Sequence, residues 1–143
     1  MGKPYEIKAI QMKKKIEILA PAKDLFQGMA AINSGADAVY IGAPLYGARS
    51  NATNSIEDVA ELVKYAHLFN AQVFVVINTI LYDNELESCR QMIWKLYDVG
   101  VDALIIQDMA IMEMELPPIV LHASTQANNR DADKIKFLAD AGI

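Results

Sequence analysis

The chain has 143 residues, 53% apolar and 22% charged, with a formal charge of −5, and a chain of that size and apolarity buries roughly 68–70% of its unfolded surface, which excludes a disordered tail. It has no run of about 18 apolar residues and no apolar stretch behind its N-terminal lysines, so neither a membrane span nor export is indicated and a cytoplasmic protein is expected. Residues 1–15 hold five lysines against one glutamate, so the rest of the chain carries −9. The first fifteen residues read as a flexible basic leader, and residues 16–143 as an acidic folded body. An acidic body is a poor stand-alone ligand for nucleic acid, whose affinity rests on phosphate neutralisation.

From Ile16 onward short apolar runs alternate with segments of helical period, the pattern of βα units around a parallel sheet. The spacing predicts strands at 16–20 (IEILA), 37–42 (DAVYIG), 72–78 (QVFVVIN), 101–106 (VDALII) and 118–122 (PIVLH). Three of these are nearly continuous aliphatic runs, as expected where both faces of a sheet are covered. In residues 55–70, Val59, Leu62, Val63, Ala66 and Phe69 recur at helical steps behind Ser55 as cap, with Glu57 and Asp58 in the first turn. His67, at the edge of that stripe, reads as an ordinary, partly exposed helix residue. In residues 85–99, Leu86, Cys89, Ile93 and Leu96 share a face, with Asp83 or Asn84 as cap and Gly100 as a left-handed stop.

Cys89 thus belongs to a buried stripe and reads as structural rather than reactive. Being alone, it excludes an internal disulfide, and it excludes any cluster held by cysteines of this chain. The zinc signatures HExxH and paired CxxC are absent as well, so no metal site is predicted.

The phrase SGADAVYIG (34–42) is answered by VGVDALIIQ (99–107), and the chain ends LADAGI, with Gly142 in the same helix-stopping place as Gly35 and Gly100. Five strands, with Ile143 placed to begin a sixth, describe part of a (β/α)8 barrel, whose usual length is about 250 residues. The alternative is a complete, open, doubly wound sheet of five strands. It ranks second because LAPAKDLFQG follows the first strand where a dinucleotide fold would carry its glycines.

In such folds ligands meet the C-terminal ends of the strands. Those positions hold Lys23, the long segment from Gly42 to Asn54, Asn78 and Thr79, Gln107 and Asp108, then His122, Ser124, Gln126 and Arg130. Three of the body's eight cations, Lys23, Arg49 and Arg130, fall there, which points to a small anion, carboxylate or phosphate as ligand, against the plainer reading of ordinary surface cations. The loop GAPLYGARSNATN exceeds the usual 2–6 residues of a βα connection, so Tyr46 and Arg49 either reach over the barrel mouth or, in the case of Tyr46, pack on its rim. His122 is the one imidazole at this face and a candidate acid or base. With Ser124 as nucleophile and Asp108 as orienter a triad can be drawn, but no nucleophile-elbow motif accompanies it.

LAPAKD (19–24), SGADAVYIG (34–42), GAR (47–49), the apolar run ending in Asn78 and Thr79, VDALIIQD (101–108) and HASTQ (122–126) resemble, in order and spacing, the N-terminal part of the collagenase-like peptidase family U32. The resemblance implies a TIM-like barrel and a peptidase acting on peptide substrates. Its alternative is an RNA modification factor that hydroxylates a pyrimidine of transfer or ribosomal RNA with an iron-sulfur cluster, and a further possibility is a non-catalytic fragment that associates through its open edge. It also implies Arg49, Asn78, Gln107, His122, Ser124 and Gln126 as site-lining positions. Two departures stand out: the family usually shows Gly at the place of Lys23, and its cysteine-bearing signature lies downstream of HASTQ, so a cluster would belong to a C-terminal part missing here. By itself the chain is expected to be inactive and to self-associate.

Overall fold

A computed structural model describes residues 16–47 and 54–143. The basic leader and Arg49 lie outside the described residues. Five parallel strands, β1 (Leu19–Ala22), β2 (Ala38–Gly42), β3 (Gln72–Ile77), β4 (Ala103–Ile106) and β5 (Val120–Ala123), pair in chain order 1-2-3-4-5. They alternate with helices α1 (Leu25–Asn33), α2 (Ile56–Leu68) and α3 (Leu86–Asp98), a 3-10 turn at Met109–Glu113, and α4 (Ala132–Asp140) after β5. No helix among the described residues is long and apolar enough to cross a membrane.

Strand alternation divides the sheet into two unlike faces. Val39, Ile41, Val73, Val75, Ile77, Leu104 and Ile106 are fully buried and pack with Leu25 and Ile32 of α1, Val59, Leu62, Val63 and Ala66 of α2, and Cys89, Ile93 and Leu96 of α3. The opposite parity carries a separate small cluster of Ala38, Phe74 and Ala103 flanked by Tyr40 and Ile105. Helices α1–α3 therefore share one face and leave the other as an inner wall. This single winding, with strands in sequence order, is an arc of a TIM-like barrel. It overturns the doubly wound alternative, which requires helices on both faces and a reversal of strand order.

One device closes the units at the N-terminal end of the sheet. After α1, α3 and α4 the chain turns at Gly35, Gly100 and Gly142 with φ of 98°, 90° and 97°, and after α2 at Asn70 with φ of 55°. In each case the next amide reaches five residues back into the helix: Ala36 to Ala31, Ala71 to Ala66, Val101 to Leu96 and Ile143 to Leu138. This is the left-handed helix stop that satisfies otherwise orphaned carbonyls. The repeated phrase then places an aspartate that accepts from a backbone amide at the start of the preceding strand: Asp37 from Ile18, just before β1, at 2.9 Å, and Asp102 from Val73 of β3 at 2.8 Å. Asp102 also meets His67 Nε2 at 3.1 Å, so His67 is a half-exposed helix residue tied to the base of the sheet.

Helix α2 starts where Ser55 predicts, in a reciprocal capping box with Asp58. Strands β4 and β5 start two residues later than expected, and two further differences have a physical reason. The first strand begins at Leu19 rather than Ile16, and it runs through Pro21, which an edge strand tolerates because no ladder bond is asked of its missing N–H on the open side. Helix α3 has no Asp83 or Asn84 cap, since a 3-10 turn over Asp83–Glu85 feeds directly into it and Glu85 itself accepts from the Tyr82 amide.

Candidate functional site

The strand register arranges the inner wall in rows. Leu19, Ala38 and Gln72 form the lowest, and Pro21, Tyr40, Phe74, Ala103 and Val120 the middle one. Gly42, Val76, Ile105 and His122 form the row nearest the C-terminal ends. Ladder bonds continue past the strands, from the Ala43, Gln107 and Ser124 amides to Val76, Ile77 and Ile106 carbonyls. The same parity two residues on therefore falls on Pro44, Asn78, Gln107 and Ser124, and Lys23 follows the end of β1 in a bend at the same end of the sheet. Of the predicted positions, Lys23, Asn78, Gln107 and Ser124 thus gather at one end of the sheet, one step above His122.

His122 is half-buried, and its ring stands edge-on to Phe74 of the row below, centroids 5.0 Å apart at 80°. It makes no hydrogen bond to a described residue. An open pocket of about 430 Å³ lies on this wall toward the N-terminal ends, floored by Phe74 and Ala103 and edged by Glu17, Gln72, Asp102 and Val120. His122 borders it from above and so belongs both to the interior and to the mouth.

Asp108 has the opposite parity from His122 and lies on the helix side. Its carboxylate accepts from the Leu81 amide and the Ala110 amide, both at 2.9 Å, and its charge is felt at Cys89 in α3. Ser124 is buried, 3% exposed, and its Oγ accepts from the Gln126 amide at 3.1 Å while its carbonyl accepts from Asn129 Nδ2 at 3.0 Å. These are the geometries of an Asx turn and of a short-helix cap. No hydrogen bond joins Asp108, His122 and Ser124 to one another. Gln126 is exposed, and Arg130, also exposed, donates from Nε to Asn128 Oδ1 at 2.7 Å.

Cys89 is fully buried, and burial, with Asp108 and Glu85 nearby, pushes its thiol up to about 11. As the one cysteine of the chain, enclosed between α3 and the sheet, it does not fit an iron-sulfur cluster, which needs several accessible thiolates. No group of three or more His, Cys, Asp or Glu side chains placed to hold a metal occurs among the described residues.

Two contacts at the mouth, made by residues of the long Gly42–Asn54 segment, come from the structure alone. Asn54, 6% exposed, donates from Nδ2 to the Lys23 carbonyl at 3.1 Å and to the Gly42 carbonyl at 3.2 Å, joining the ends of β1 and β2. Tyr46, in the left-handed region at φ 65°, offers its carbonyl to the Asn78 and Thr79 amides and to Thr79 Oγ1. Its hydroxyl meets Ser88 Oγ of α3 at 2.6 Å, so the ring packs on the outer rim rather than over the mouth. An asparagine just before a helix cap is the only sequence signal that marks Asn54.

Residues 23–143 match the family described as Peptidase family U32. The chain is 56% identical over 129 residues to a 23S rRNA 5-hydroxycytidine C2501 synthase of Escherichia coli, a match covering 90% of this chain and 20% of that protein. It is 34% identical over 134 residues to tRNA hydroxylation protein P1 of Bacillus subtilis, covering 91% and 32%. The chain thus spans about a fifth to a third of the length of these relatives. Among solved structures, that of a U32 peptidase superposes with a TM-score of 0.70 at 14% identity, over 96% of this chain and 61% of the other, a likeness of fold. The barrel arc, the strand-end residues and the family match over 23–143 agree: the chain belongs to peptidase family U32.

Proposed function

We propose that this chain is the first arc of the barrel in an RNA-modifying protein that hydroxylates a pyrimidine, and that its inner wall and strand-end loops contribute to holding the base. The observation that carries this reading is the 56% identity to an rRNA hydroxycytidine synthase along 90% of the chain. It reverses the order suggested by the residues and the family name, in which peptide hydrolysis comes first. The local chemistry points the same way, because Asp108 and Ser124 are engaged by backbone amides and neither is joined to His122. At the mouth, the Gln107 amide offers the paired donor and acceptor functions that read the edge of an unstacked base. His122, below it, is the titratable group facing that space. An iron-sulfur cluster, on this reading, is held by residues outside this chain, and so is most of the basic surface that an RNA ligand requires, given the acidic balance of residues 16–143.

Deleting the gene in its host and analysing nucleosides of 23S rRNA by mass spectrometry tests the proposal. Loss of 5-hydroxycytidine, restored by the intact gene, is expected. Retention of the modification, together with cleavage of gelatin or casein by the purified whole protein, would return the peptidase reading to first place.

A further inference from the structure

The polar residues at the mouth differ in how their side chains are committed. Arg130 is held by Asn128, and Asp108 and Ser124 by backbone amides. Lys23 differs from them: its backbone is fixed from both sides while its side chain is exposed. Its amide donates to Gln27 Oε1 at 3.1 Å, and its carbonyl accepts from Asn54 Nδ2 at 3.1 Å. Asn54 is nine-tenths buried, and the same amide group reaches the Gly42 carbonyl, so the first residue beyond β1 is locked to the last residue of β2. The Lys23 ammonium has no hydrogen bond or ion pair with a described residue. It stands one residue beyond β1, at the C-terminal end of the sheet of an otherwise acidic body.

We infer that Lys23 is a contact for a substrate phosphate at the barrel mouth and that Asn54 is the positioning residue that holds it there. A cation on a fixed backbone loses less conformational freedom on binding than one on a mobile loop, and a single lysine on a phosphate contributes a point charge rather than base specificity. The inference deepens the RNA reading above and rests on it.

The test measures binding of the whole protein to protein-free 23S rRNA as a function of salt. Lys23→Gln should weaken binding by about fivefold at 50 mM salt and lower the slope of log affinity against log salt by about 0.7 to 1, so that the defect shrinks about threefold by 200 mM. Asn54→Ala should weaken binding in the same direction, and adding it to Lys23→Gln should cause little further loss, because it acts through the lysine. Lys64→Gln, on the outer face of α2, should leave affinity and slope unchanged. If the wild-type protein binds and Lys23→Gln has the same affinity and slope, the phosphate contact is wrong while the RNA reading stands. If the two losses add in full, Asn54 is a structural residue only and its positioning role is refuted. If the wild-type protein does not bind the RNA and the deletion strain keeps its hydroxycytidine, both the inference and the function fall together.

Discussion

At the scale of single residues, position was easier to read than partnership. Strand-end polarity places Lys23, Asn78, Gln107, His122 and Ser124 at the same end of the sheet, and alternation along a strand, a strict period of two, decides which face each takes. What the side chains touch was not legible. Asp108 stands one residue after Gln107 and therefore on the other side of the sheet from His122, a consequence of register that a list of catalytic residue types cannot convey. Asn54 was missed for a related reason: its two acceptors, Lys23 and Gly42, are distant in sequence and meet only when β1 pairs with β2. Cys89 was read correctly because helical period alone buried it. With its thiol raised from 9.0 to about 11, chiefly by burial, the native protein should react negligibly with a thiol reagent at pH 8 and fully once unfolded, as absorbance titration would register. The sign of the linkage follows. The folded value lies above the unfolded one, so this thiol's contribution to stability is complete below about pH 9 and is lost as pH rises toward 11. A fast native reaction at pH 8 would contradict the burial.

At the scale of elements, helix ends were the most legible parts. Ser55 with Asp58, and glycines after apolar stripes, are local signals whose physics needs no tertiary partner. The start of α3 and the edges of β1 were not, because a 3-10 entry leaves no cap signature and Pro21 reads as a terminator until its strand proves to lie at an edge. The glycine stops give a paired prediction. At Gly100 an added Cβ would meet Val63 Cγ1 at 3.3 Å in a backbone conformation of φ 90°. At Gly35 the φ is 98° but nothing lies within 4 Å. Gly35→Ala should therefore cost about 1–2 kcal/mol in urea unfolding of the protein, the usual cost of left-handed backbone alone, and Gly100→Ala more. Equal losses at the two sites would mean that the contact with Val63 is absorbed by the α2–α3 packing.

At the scale of the whole molecule, consecutive βα units predicted a barrel arc over a doubly wound sheet, and the strand order bears this out. The inner wall leaves Leu19 44% and Val120 57% exposed, on the two edge strands. Unpaired edges beside apolar surface invite further pairing. Residues 1–143 expressed alone should accordingly self-associate, giving a concentration-dependent sedimentation coefficient. A sharp, reversible melt of a monomer at all concentrations would contradict this. Arg49, the other cation expected near the first two strands, lies outside the described residues, so the phosphate contact proposed at this end of the barrel is argued for Lys23 alone.

The strand order also bears on how the protein is made. Because the five strands described pair in chain order, each strand after β1 leaves the ribosome with one partner already synthesised. Contacts within the arc are therefore made locally as the chain emerges, while the free edge of β1 must wait for a segment made much later, so closure of the barrel is the late, non-local step.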